Sequence, residues 1–165
     1  RPLLERHEPV RVLVRQHSDP RPLEGLKVEV VHGDVRDRQK VRAACAGVDV
    51  VVHAAGWVHV GWTGMELARA VNIDGTRHVA LAALDAAARM IYNSSMTALG
   101  IGPHDQPAGE ASPRVGQVPC PYMVTKREAE ESVLDLVKKG LDAVVVNPGF
   151  MLGPWDWKPS SGRMV

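Results

Sequence analysis

Residues 48–56 read VDVVVHAAG: a short, almost unbroken apolar run, then a histidine, then three small residues. A strand with one face in water alternates apolar and polar side chains. This one is close to continuously β-branched, which suits a strand buried on both faces in a parallel sheet covered by helices. The small residues Ala54, Ala55 and Gly56 let a ligand approach the backbone closely. In open α/β sheets ligands bind just outside the carboxyl ends of the strands, which is where these residues fall.

Four further runs share the same character: VRVLVR (10–15), KVEVVH (27–32), RMIYNSS (89–95) and DAVVVNPG (142–149). Helical patterns lie between them. Residues 37–46 end at Gly47, a C-terminal cap. Residues 65–88 are long and Ala-rich, and residues 121–139 end in two lysines followed by Gly140. Strands alternating with helices predict an α/β fold, a doubly wound parallel sheet. The Gly- and Pro-rich stretch 100–121 reads as a long loop, and loops of that length are often functional.

The chain has 165 residues, enough for one domain with its own core, and is 45% hydrophobic. Lys and Arg number 20 against 19 Asp and Glu, so there is no basic excess of the kind nucleic acid or an anionic membrane surface selects. An aromatic content of 4% argues against a stacking platform for single strands. The apolar runs are too short to cross a bilayer, and no cationic start leads into an apolar run. Cys45 and Cys120 are far apart and show no metal-ligand spacing; two lone cysteines suit a reducing, cytoplasmic compartment.

Several residues carry chemistry, each beside a plainer reading. PYMVTK (121–126) sets Tyr122 one helical turn before Lys126. Both share a stripe with Ala129, Val133 and Val137, so Lys126 is drawn inward, and a buried ammonium needs partners. The plainer reading has both side chains snorkelling to water. In YNSSMTALG (92–100) the serines follow a strand; a hydroxyl there can hold a substrate carbonyl, or bond its own turn. His53 reads as a satisfied histidine of the core more readily than as a catalyst. Asp34 in HGDV (32–35) could accept from an adenine amino group or cap the next helix. Arg15 closes its strand where a carboxylate would bind the ribose hydroxyls of NAD. An arginine suits the extra phosphate of NADP, or simply faces solvent. In NIDGT (72–76) an inward Asn72 needs a backbone or water partner, and Gly75 in a helix implies close packing. Trp57 and Trp62, after HAAG, suit an apolar or aromatic substrate or serve packing.

In order, VLVR, GDVRD, VVHAAG, VNIDGT, YNSSMTALG, YMVTK and VVNPGFMLGP cover nearly the whole chain. In this order the chain resembles the extended short-chain dehydrogenase/reductases, the NAD-dependent epimerase/dehydratase type, and most closely their dihydroflavonol-reductase-like branch. The resemblance implies a Rossmann-type sheet and roles for individual residues. Ser95 would orient the substrate carbonyl, Tyr122 act as general acid/base with Lys126 as its partner, and Asn72 hold a water or backbone contact near them. Asp34 and Val35 would meet the adenine, and Ala54, Ala55 and Gly56 line the cofactor. Pro148, Gly149 and Phe150 would meet the nicotinamide carboxamide, and Tyr122 and Lys126 also contact the cofactor. Together with Arg15 this implies NADP rather than NAD. A cation beside a phenol favours the phenolate, which can exchange a proton with the substrate oxygen while hydride moves.

The family's first strand and Gly-rich pyrophosphate turn have no counterpart in residues 1–165. These residues are therefore expected to form a partial NAD(P)-binding Rossmann domain, with a gap beside the 10–15 strand and most of the substrate domain absent. Such a chain is expected to fold poorly alone. Asn93 stands where the family usually has an apolar residue or threonine, and the spacing around AAARMIYN (86–93) is slightly short. The expected activity is NADP-dependent hydride transfer between a carbonyl and a secondary alcohol. The partner is then a small molecule, not nucleic acid or membrane, and helix-paired homodimers are common among such proteins. Two alternatives stand beside it: a nucleotide-sugar epimerase or dehydratase that retains NAD, and a non-catalytic cofactor-sensing protein.

Overall fold

The computed structural model describes residues 2–59, 61–116 and 118–151. After a short helix α1 (Pro2–Glu5), the elements run β1 (Arg11–Val14), β2 (Glu29–His32), α2 (Arg38–Cys45), β3 (Val50–His53), α3 (Met65–Ala68), a π turn (Arg69–Asp74), α4 (Gly75–Asp85), β4 (Arg89–Asn93), α5 (Pro121–Val137) and β5 (Ala143–Val146). All five runs form strands, each strand shorter than its run. The pairs β1–β2, β3–β4 and β4–β5 are parallel.

Register explains which side chains are buried. Val51 pairs with Met90 and His53 with Tyr92, and these continue across to Ala143 and Val145 on β5. This face packs on α4 and α5, forming a core with Val79, Ala80, Ala83, Ala129 and Val133. The alternate residues form the opposite face, where Val50, Val52, Val144 and Val146 are exposed, Val52 at 58%. Among the described residues, then, helices cover one face of the sheet and leave the other open.

The strands form two separate ladders, β1–β2 and β3–β4–β5, with no ladder between β1 and β3 among the described residues. The expected discontinuity beside the 10–15 strand is therefore seen. The helix layer bridges it: α2 brings Val41 and Cys45 into the same core as α4, and Leu13 of β1 packs against that core.

Helix ends follow local chemistry. Asp37, not Asp34, caps α2, its carboxylate accepting from the N–H groups of Gln39 and Lys40 at 3.0 and 3.1 Å. Helix α5 opens on Pro121, whose missing N–H costs nothing in a first turn. Its buried stripe is Thr125, Lys126, Ala129, Glu130, Val133 and Leu136; Val137 lies outside it, at 37% exposure.

The expected uninterrupted helix 65–88 is instead two α-helices joined by the π turn. Gly75 sits at its end because a Cβ there would lie 2.7 Å from Cγ2 of Val35.

Candidate active site

The carboxyl ends of β3, β4 and β5 lie side by side, because the strands are parallel and in register. They gather Ala54–Ala55–Gly56, Ser94–Ser95 and Asn147–Pro148–Gly149–Phe150 at one edge. The first turns of α5 pack against this edge and carry Tyr122 and Lys126.

Lys126 is 5% exposed and donates to the carbonyl of Asn93 at 2.8 Å. Its ammonium lies 4.8 Å from the centre of the Tyr92 ring, a cation–π arrangement. Burial pulls its pKa down to about 8, opposed in part by Glu130. The lysine is thus held inward beside the serine-bearing strand end rather than snorkelling to water. Tyr122 is half-buried one turn earlier.

Ser95 adopts extended backbone and caps a single 3₁₀ turn, Met96–Ala98. Its Oγ accepts from the N–H of Thr97 at 3.2 Å and the hydroxyl of Thr97 at 2.9 Å. Both bonds use oxygen lone pairs. The Ser95 proton is left to donate, and it meets no acceptor among the described residues.

Asn72 finds the backbone partner its inward position requires. It accepts from the N–H of Trp57 at 2.7 Å and donates to the carbonyl of Trp57 at 3.0 Å and to Oγ1 of Thr125 at 3.0 Å. Thr125 in turn donates to the carbonyl of Pro121 at 2.7 Å. A single amide therefore fastens the loop after β3 to the first turn of α5. Thr125 escaped the sequence reading, although a threonine between Tyr122 and Lys126 on an inward-facing turn was the available signal.

His53 is a satisfied core histidine: it bonds Oγ1 of Thr76 at 2.9 Å and stacks on Tyr92 at 5.6 Å. Burial, and then the charge of Lys126, lower its pKa to about 4. The Tyr92 hydroxyl lies near Thr76 and Ser94, yet makes no well-formed hydrogen bond among the described residues. Burial pushes it up to about 12.

Arg15, Asp34 and Val35 sit apart from this centre, whereas Pro148, Gly149 and Phe150 follow β5 beside Ser95. Arg15, Gln16, His17, Gly33 and Asp34 line a cleft of about 410 Å³ beyond the ends of β1 and β2. Arg15 is exposed there. Both oxygens of Asp34 are held by Arg36 at 2.9 Å. That bond and the charges of Arg36 and Arg15 outweigh burial and hold the Asp34 carboxyl below its usual range. Val35 packs on Gly75, and its carbonyl bonds His78 at 2.9 Å. The carbonyl of Pro148 accepts from the N–H of Met96 at 2.9 Å, Gly149 lies beside the Met96 sulfur, and Phe150 is 70% exposed. Residues 152–154 of the last motif lie outside the described residues.

A parallel helix-backed sheet with a Ser, Tyr and Lys gathered at its carboxyl edge defines a Rossmann-type protein of the short-chain dehydrogenase/reductase class. Residues 3–152 match the 3-beta hydroxysteroid dehydrogenase/isomerase family, and the chain belongs to it. It is 36% identical to sterol demethylase protein B of Methylococcus capsulatus, covering 100% of this chain and 51% of that one. A Synechocystis protein provisionally named dihydroflavonol 4-reductase is 34% identical, covering 100% and 49%. Among solved structures, gox2253 superposes with a TM-score of 0.86 at 36% identity, over 99% of this chain and 51% of that one. A short-chain dehydrogenase/reductase superfamily protein from Agrobacterium tumefaciens, solved with NAD bound, gives 0.70 at 27% identity, over 88% and 43%. The chain spans about half the length of the curated relatives it matches. Among the described residues, no helix is long and apolar enough to cross a membrane, and no cluster of ligands could hold a metal ion.

Proposed function

We propose that the protein is an NADP-dependent oxidoreductase that interconverts a carbonyl and a secondary alcohol, with Tyr122 as general acid/base, Lys126 as its cationic partner and Ser95 as the carbonyl-orienting donor. The observation that carries this reading is the buried Lys126, tied to the carbonyl of Asn93 two residues before Ser95 and one helical turn from Tyr122. A nicotinamide cofactor, when bound, supplies or accepts the hydride. The residues present fit it: Ala54, Ala55 and Gly56 leave the edge of β3 unencumbered, and the Arg15 cleft offers a cation for a phosphate. In the reductive direction Ser95 donates a hydrogen bond to the substrate oxygen and Tyr122 passes it a proton. Lys126 holds positive charge beside them. Asn72 and Thr125 keep the β3 loop and the tyrosine turn in fixed relation.

Exposed apolar side chains in the segments after β3, β4 and β5 support a carbonyl on an apolar body over a nucleotide sugar. Val58, Trp62, Met96, Ile101 and Phe150 are all exposed, Trp62 at 72%. Cys45 and Cys120 are both buried free thiols, in keeping with a cytoplasmic location. Leu134 and Val137, exposed three residues apart on α5, form an apolar strip that helix pairing in a homodimer would cover.

Tyr122→Phe in the full-length protein tests the reading. NADPH binding, stronger than NADH binding in the same titration, is expected to survive. Carbonyl reduction with stoichiometric NADPH consumption is expected to fall by at least about 10²-fold. Unchanged turnover in the variant would remove Tyr122 from the mechanism, and bound cofactor regenerated without net consumption would favour an epimerase or dehydratase.

A further inference from the structure

Glu130 is 2% exposed and uses both carboxylate oxygens. One accepts from Arg114 of the long loop at 2.5 Å. The other accepts from the Ser94 hydroxyl at 2.5 Å and from Nδ2 of Asn147 at 2.7 Å. Asn147 also donates to the carbonyl of Ser95 at 3.0 Å. One buried carboxylate therefore gathers the ends of β4 and β5 and the loop onto α5, one helical turn beyond Lys126. Residues four apart on a helix are neighbours.

Among the described residues, the groups facing Lys126 leave Glu130 as the nearby anion. On its own helix these are Tyr122 and Glu130, from β3 His53, from β4 Tyr92, and beyond Glu130 the guanidinium of Arg114. Burial keeps His53 neutral above about pH 4 and Tyr92 neutral below about pH 12.

We propose that Glu130 is a positioning residue of the site: its charge keeps the buried Lys126 protonated, and its hydrogen bonds set the Ser94–Ser95 strand end against α5. Arg114 moderates the first effect, because it neutralises part of the charge that Lys126 feels. This rests on the proposed reductase function for its catalytic consequence, and on the geometry alone for the titration of Lys126.

The test follows the ε-carbon of Lys126 by NMR against pH, together with the alkaline limb of carbonyl reduction, in the protein and three variants. Glu130→Gln is expected to move both midpoints down by about one pH unit. Arg114→Met, which removes the competing cation, is expected to move both up. Ser94→Ala, which removes a tie but no charge, is expected to lower turnover and leave the midpoints in place. Should Glu130→Gln not fold, the upward shift in Arg114→Met decides alone. Lys126 midpoints unmoved in both charge variants would overturn the proposal. A protein that reduces no carbonyl would instead remove the reductase reading, while the Lys126 titration still decides what Glu130 does.

Discussion

At the scale of single residues, burial of ionisable side chains sets how the fold responds to acid. The His53 pKa falls from 6.5 unfolded to about 4 folded, so the native state resists its protonation. Between these values the unfolded chain binds the extra proton, and stability is lost as pH falls from about 6.5 to 4. A shift of this size corresponds to about 3 kcal/mol at most. Urea denaturation at pH 7 and pH 4 is expected to show a loss of that order, smaller in His53→Gln; equal losses in both proteins would assign acid sensitivity elsewhere. Lys126, lowered from 10.5 to about 8, acts in the opposite window: its charging cost is present below pH 8 and is relieved as pH rises toward 10.5. The lysine was legible in the sequence as an inward cation. Its acid was not, although a carboxylate four residues on along the same stripe is the partner a buried ammonium calls for. Reading the stripe as wholly apolar past Lys126 concealed Glu130.

At the scale of elements, the strands were the most legible feature, because continuous β-branched runs bounded by turns have few other uses. Their ends were not, since residues flanking a ladder share its composition while leaving it. The π turn at 69–74 has no sequence signature: one extra residue in a turn does not disturb an Ala-rich pattern. Gly75 was legible only as a sign of close packing, and its reason is the 2.7 Å approach of a would-be Cβ to Val35. Gly75→Ala should gain about 1 kcal/mol of helix propensity and lose about 1–3 kcal/mol to overpacking. The expected net result is a less stable protein by thermal or urea unfolding. A gain in stability would show that α4 and the Asp34–Val35 turn move apart at little cost. The pairing of Asp34 with Arg36 was equally hidden, because such a turn depends on backbone geometry rather than composition.

At the scale of the whole molecule, two parallel ladders share one helix layer, and the valines on the far side of the sheet stay in water. The sequence foretold strands suited to burial on both faces; within the described residues only one burial is completed. Residues 1–165 produced alone are therefore expected not to bind NADPH at micromolar concentration, and to sediment as a mixture of associated species. A monodisperse sample with micromolar affinity would overturn that expectation. The open valine face has a further consequence for protein quality control. Until something covers it, a cell meets this surface as a mark of unfinished folding, so chaperone occupancy rather than catalytic competence would govern the abundance of residues 1–165.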